Sequence, residues 1–376
     1  MSELSRRKGW LDEQGELHLM GVVRVLFSLL FADALYHEVR HMVERGYFAD
    51  YFHMPFFSEA WVPNKPFYLG LLALKALLIL SIFLGKWARP SLIGMVLVDG
   101  YLLLCDRLEF HNNRYAILCF AFLLAWGPCD RAVLPLGPAG SKTLGPLFAQ
   151  RLAQLQMSVI YIASSGSKLL DPDWRGGDVM SVRFARGAMN APAFLKSFSL
   201  WMSGAWQSEL ISKGAIATEM FLAFGLWSKA LRPWALWVGA LFHLTIEATA
   251  NVQLFSWLSL SVYVLFADPD TKTRSILFDP RSAEARRTVW VLKRLDWLAK
   301  FDLEEVALPS SSDDHAAKAH GADQRQSDHG IISIRRPSGE LVTGLRAFAT
   351  LSGNIPLFLP LWGFAKAACL LNPSRK

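Results

Sequence analysis

The stretch from Gln156 to Gly177, QMSVIYIASSGSKLLDPDWRGG, sets a glutamine, a tyrosine, four serines and a lysine into an otherwise apolar segment. Tyr161 and Lys168 are two helical turns apart, so a helix puts both on one face. Gln154 and Gln156 extend the stripe backwards, with Ser164 and Ser165 beside it. In a bilayer such a stripe faces the bundle interior or a wet cavity and marks a functional site. Two readings of Lys168 are open. A lysine at the end of a span extends its amine to the headgroups, whereas a desolvated amine held neutral accepts a proton as a base. Asp171-Pro172-Asp173-Trp174 then ends the helix, because proline cannot continue it.

Three more places carry polar chemistry in apolar surroundings. His111, Asn112 and Asn113 stand where an apolar run begins. They either cap a helix start or gather donors for a polar headgroup or an oxyanion. Glu219 lies in the middle of another run, where an ionised carboxylate is expensive. His243 and Glu247 are four apart and meet on one helix face. Proton exchange and plain interhelical hydrogen bonding are both open to these groups, and one His/Glu pair supplies too few ligands for a metal. Arg24, inside the first apolar run, and Trp174, in the turn after Lys168, are candidate substrate contacts alongside Asn112, Asn113 and Gln156.

The elements that must hold these residues are membrane spans. The 376 residues are 52% apolar with 25 Phe and 14 Trp, richer than a soluble chain of this length. Several runs approach the roughly 20 residues that cross a bilayer. We read eight spans, at about 18–36, 66–84, 91–104, 115–126, 147–170, 209–228, 234–250 and 252–266. The aromatic stretch 46–63 suits an interfacial belt, and 171–207 is read as a long polar-aromatic loop. The charged start lacks the apolar core and cleavage site of a signal peptide. Lys86 with Arg89, Arg131 with Lys142 and Lys229 with Arg232 fall on one side with Arg6-Arg7-Lys8, which places both termini in the cytoplasm. The four cysteines show no paired spacing, a net charge of +7 suits anionic lipid, and nothing matches a nucleic-acid module.

Beyond Asp268 the chain becomes charged. RSILFD and FDLEEVAL read as strands around an amphipathic helix, IISIRRPSGELVTG as a hairpin, and 309–330 as a flexible insert. The last apolar run, interrupted by prolines, suits the membrane surface better than a ninth span. The expected fold is an all-α polytopic membrane bundle, residues 1–269, followed by a small α/β domain, 270–376.

The order of these features resembles the vitamin K-dependent gamma-carboxylase-like transmembrane domain, the HTTM domain, over about residues 16–270. The likeness rests on an arginine in the first span, HNNRY before a span ending in GPCDRAVL, and LQMSVIYIASSGSKLLDPDWRGG. Glu219 and FHLTIE before NVQLFSWLSLSVYVLFADPD complete it. The resemblance implies a site open to the non-cytoplasmic side, in which a lysine deprotonates a reduced quinone, oxygen turns that quinol into a strong base, the base removes a proton from a glutamate, and carbon dioxide adds to the carbanion. Lys168 would be that base, with His243, Glu247 and Glu219 as proton partners, Tyr161 holding the neutral amine by a hydrogen bond, and His111 a further catalytic candidate. Counted back from Trp174, the family lysine falls at Leu169, and the family histidine after the asparagines falls at Asn113; here Lys168 and His111 stand nearby.

The tail resembles a second family, the DCC-type thiol-disulfide oxidoreductases, which implies a thioredoxin-like fold. The family's two cysteines fall at Ser282 and Ala285, so thiol exchange is excluded. Together the resemblances suggest a multi-pass protein of a bacterial inner membrane. It would act on a small lipid-soluble substrate or a membrane-delivered peptide. The alternative is a non-enzymatic scaffold or a maturation or immunity partner with a decayed site.

Overall fold

The computed structural model describes residues 13–45, 53–108, 110–130, 144–190, 193–250, 254–267, 274–298, 300–306 and 332–371. They form two compact units, 1–267 and 268–376. The insert read at 309–330 and the basic pair Arg131 and Lys142 lie outside the described residues.

In the first unit each expected span is a helix. These are α1 (His18–Arg45), α2 (Lys65–Leu84), α3 (Ala88–Cys105), α4 (Asn112–Trp126) and α5 (Phe148–Leu170). After α6 (Pro172–Gly176), α7 (Asp178–Asn190) and α8 (Ala193–Met202) come α9 (Ala205–Gly225), α10 (Arg232–Ala250) and α11 (Leu254–Tyr263). A short antiparallel pair, β1 (Gln14–Glu16) with β2 (Leu144–Pro146), joins the starts of α1 and α5. The long helices pack in chain order: α1 on α2, α2 on α3, then α3 on α4, α4 on α5, α5 on α9, α9 on α10 and α10 on α11. Contact of α11 with α1 closes the ring.

The reading of eight spans is corrected in one respect. Among the described residues only α1, α2 and α3 are both long and apolar enough to cross a membrane by themselves. Helices α5, α9 and α10 have the length, but polar residues aimed at their neighbours lower their hydropathy. Helix α4 has 15 residues and α11 has 10, too few for a full crossing. Helix α1 runs nine residues past its expected end at 36, because its charged second half makes pairs such as Arg40 with Glu44 one turn on.

The stretch 171–207 is also helical rather than a loop. Asp171 accepts the Asp173 amide at 2.9 Å and Pro172 sits in the first turn, so α6 starts where α5 stops. In α7 Met180, Phe184 and Ala188 are buried at four-residue spacing, a period hidden by the arginines between them.

Two polar clusters tie the ring together. At one end the Arg24 guanidinium donates to the Cys129 carbonyl at 2.7 Å and lies against Gly85, the residue ending α2. A Cβ on Gly85 would stand 2.6 Å from a guanidinium nitrogen, and its φ of +76° favours glycine. Further along, Lys75 at the centre of α2 is fully buried between Glu38 of α1, at 2.5 Å, and Asp99 of α3. Arg114 of α4 reaches the other Glu38 oxygen at 3.3 Å.

In the second unit the strands are ordered β4-β3-β5-β6: Phe301–Glu305, Arg274–Phe278, Ser333–Arg335 and Leu341–Val342. The β3/β4 pair is parallel, with α12 (Ala283–Leu295) between them in sequence, and the other pairs are antiparallel. Val289 and Leu292 of α12 pack with Ile276, Ile334 and Val342 in one core. Helix α13 (Gly344–Ser352) and the apolar segment Pro356–Leu371, containing α14 (Leu359–Leu371), are bent from each other by 109°. Ser282 caps α12, accepting the Ala285 amide at 3.2 Å.

Candidate functional site

Helix α5 is the wall on which the site is built. Its buried face carries Ala153, Gln154, Met157, Ser158, Tyr161 and Ser165, a spacing of three and four that turns hydroxyls and amides into the bundle. Gln150 and Gln154 donate to the Leu265 carbonyl at 2.8 and 2.7 Å, closing the end of the segment that follows α11. Ser158 accepts the Trp227 indole N–H at 2.7 Å. The lower part of the polar stripe is thus a set of interhelical hydrogen bonds.

The upper part faces a cavity of about 690 Å³. Its lining is mostly apolar and comes from α4 through α11. Asn112, Asn113, Gln156, Lys168, Trp174, Glu219 and His243 all contribute to it. Its polar groups therefore come from the start of α4, the middle and end of α5, the helices α6 and α7, where Trp174 and Arg183 stand, and the middle of α9 and α10. This end of the bundle is opposite the Arg24 cluster, since α4 begins here and ends at Trp126, next to Gly127 and Cys129.

Lys168 does not extend away from the protein. Its side chain is 15% exposed and its amine forms an ion pair with Glu219. The same amine donates to Ser164 Oγ at 2.9 Å, and Ser164 in turn donates to Glu219 Oε1 at 3.2 Å. The Trp174 ring lies 4.9 Å from the amine, adding a cation–π contact. Glu219 Oε2 is buried with no hydrogen-bond partner among the described residues.

Tyr161 shares the helix face with Lys168 but belongs to a different group. Its hydroxyl is 2.8 Å from His243 Nε2 and 2.5 Å from the Tyr263 hydroxyl. Gly239 makes room for Tyr263: a Cβ there would stand 2.5 Å from the phenol oxygen. The three rings form a buried hydrogen-bonded chain with His243 at its cavity end.

Besides Tyr161, which lies behind His243 and does not line the cavity, three candidates stand apart from it. His111 is the exposed cap of α4, its Nδ1 accepting the Asn113 amide at 3.3 Å. Arg24 closes the opposite end of the ring. Glu247 follows His243 by one turn but is absent from the cavity lining. Sequence reasoning overlooked Tyr263 and the Lys75 cluster. Lys75 alone had a visible signal, a single charge inside LGLLALKALLILSIFL.

Among the described residues no group of three or more His, Cys, Asp or Glu side chains is placed to hold a metal. The cavity has the size of a small-molecule site, with the Lys168–Glu219 ion pair in its wall. No solved structure matches the chain. Residues 14–271 match the HTTM domain, and so resemble membrane proteins of the gamma-carboxylase family. With the match spanning the whole helical ring that encloses this cavity, the chain belongs to the HTTM domain family.

Proposed function

We propose that the protein is a membrane enzyme that takes a proton from a lipid-soluble substrate at Lys168, and that the substrate is a reduced quinone or a related molecule. The observation that carries the reading is the Lys168–Glu219 ion pair set into an apolar cavity. In a medium of low dielectric an ammonium–carboxylate pair and its neutral amine–acid form approach each other in energy. Transfer of the proton to Glu219 leaves a lone pair on the amine, which then accepts the substrate proton. The Glu219 oxygen without a partner is free to take part in that exchange. Asn112 and Asn113 are placed to donate to a substrate oxygen as it gains charge. The His243–Tyr161–Tyr263 chain holds the imidazole in one orientation at the wall.

The remaining features join the same reading. The Arg24 end, with Lys86, Arg89, Lys229 and Arg232, is assigned to the cytoplasm, and the cavity to the other side of a bacterial inner membrane. The second unit is read as a DCC-like, thioredoxin-like domain without thiols. Ser282 serves there as a helix cap, and the unit is assigned a structural or docking role.

Purification in mild detergent, followed by mass spectrometry of co-eluting small molecules, tests the substrate class. A quinone enriched over the bulk lipid extract is the expected result. Lys168→Arg then keeps the ion pair but cannot accept a proton, so turnover of that quinone in its reduced form should be lost. Unchanged turnover would reject Lys168 as the base. A chain carrying no enriched small molecule, with Lys168→Arg indistinguishable from wild type in the cell, leads to the scaffold reading instead.

A further inference from the structure

The charge count of the cavity wall is uneven. Glu219 is its one carboxylate among the described lining residues, and Lys168 already neutralises it. Arg183 of α7 also lines the cavity, and no carboxylate pairs with it among the described residues. Its guanidinium lies 5.6 Å from the centre of the Trp174 ring, so one indole carries both the lysine amine and the arginine. Helix α4 adds to this field, since its first residues, Asn112 and Asn113, line the same cavity at the positive end of the helix dipole. An excess positive charge at the mouth of an apolar cavity draws an anion toward it.

The surroundings of the mouth bear on what carries that anion. Next to α7, α8 and the start of α9 present Phe194, Phe198, Trp201 and Trp206 to the outside. Phe194 is 80% exposed, and Trp201 contacts both Phe198 and Trp206. Tryptophan and phenylalanine clustered beside arginines, on short amphipathic helices, suit the boundary between headgroups and acyl chains. The arginine at the mouth is thus at headgroup level, and the apolar lining behind it is open to a chain.

We propose that Arg183 on Trp174, with Asn112 and Asn113 of the same lining, is the headgroup site for an anionic amphiphile. The ligand is a single-chain molecule ending in a carboxylate or a phosphate monoester, with its chain in the cavity. The inference deepens the reading of the cavity as a site for a lipid-soluble substrate and rests on it, but it does not require Lys168 to act as a base. The planar guanidinium matches either headgroup through two parallel hydrogen bonds.

The test is equilibrium binding to the full chain in detergent, using radiolabelled palmitate and competitors. Palmitate or hexadecyl phosphate should bind, and hexadecanol and inorganic phosphate should fail to compete. Whichever of the two anions competes better identifies the headgroup. Arg183→Gln should weaken binding roughly ten-fold or more, the loss expected for a charge-assisted bidentate contact, and Arg183→Lys should recover part of it. Arg183 is exposed, so neither substitution threatens the fold. Hexadecanol binding as tightly as palmitate, or Arg183→Gln binding like wild type, would overturn the proposal. Competition by inorganic phosphate alone would overturn the amphiphile and leave a soluble-anion site. Binding is read without turnover, so these outcomes are separate from the fate of Lys168→Arg.

Discussion

The Lys168 amine, in the last turn of α5, pairs with Glu219 at the centre of α9, and Glu219 Oε2 has no hydrogen-bond partner among the described residues. The pair joins two neighbouring helices of the ring and also lines the cavity. Its two roles separate by substitution.

Removing one partner leaves the other charge uncompensated. Lys168→Met should lower stability by about 3–5 kcal/mol, the cost of stranding one member of a buried pair. Lys168→Met combined with Glu219→Gln should recover most of that loss. Thermal unfolding of the detergent-solubilised chain measures both. Equal losses in the single and double variants would show that the ion pair does not hold α5 to α9.

The Lys75 cluster is a second, more fully buried tie, its amine paired with two carboxylates. Lys75→Met leaves Glu38 and Asp99 in the bundle with Arg114 as their only cation among the described partners. We expect this variant to lose its monodisperse peak in size-exclusion chromatography, and the addition of Asp99→Asn to restore it. Arg114 stands next to Asn112 and Asn113 on α4, so loosening the cluster also shifts the cavity edge. A monodisperse single variant would count against the cluster as a tie.

The apolar runs were enough to place a helix at each of the eight positions, because a membrane helix is written in consecutive residues, but among the described residues only α1, α2 and α3 proved long and apolar enough to cross by themselves. Ring closure was not legible, since it depends on α11 meeting α1 across the whole domain. The shared face of Tyr161 and Lys168 followed from helical geometry, but their partners did not. Glu219 and His243 lie on other helices, and nothing in the spacing says which of them each side chain meets. Tyr263 was hidden in an apolar run, although its hydroxyl completes the buried chain. Helices α6 to α8 were missed because arginines and aromatics alternate there, and only burial shows the four-residue period.

Two cysteines, one at the middle of α4 and one just past its end, should differ sharply in reactivity. Cys119 lines the cavity, whereas Cys129 is fully buried beside Arg24. Burial is the main cause pushing the Cys129 thiol up to about 11, with Arg24 opposing it and Asp130 reinforcing it. Cys129 therefore stays protonated, and slow to alkylate, until the pH nears that value. N-ethylmaleimide at pH 7.5, an ordinary labelling pH well below about 11, should modify Cys119 and spare Cys129, as read by peptide mass spectrometry. Palmitate should protect Cys119 if it fills the cavity. Rapid labelling of Cys129 in the folded chain would contradict its burial.

Gly177 tests how the cavity wall is held in place. It ends α6 with a φ of +89°, a left-handed conformation that costs other residues about 1–2 kcal/mol. Space is the second constraint, because a Cβ would stand 2.4 Å from the Glu209 amide nitrogen, a backbone atom with no rotamer to change. The same junction positions Trp174, whose carbonyl accepts both the Gly177 amide and the Ser212 hydroxyl. Gly177→Ala should therefore push α6 away from α9 and move the Trp174 ring from Lys168 and Arg183. We expect a lower melting temperature together with weaker palmitate binding. Gly176→Ala is the control: a Cβ there meets only Asp178 Oδ2, at 3.6 Å, and the backbone is not left-handed. That variant should unfold and bind like wild type. If Gly177→Ala also matched wild type in both measurements, the α6–α9 contact would not set the position of Trp174.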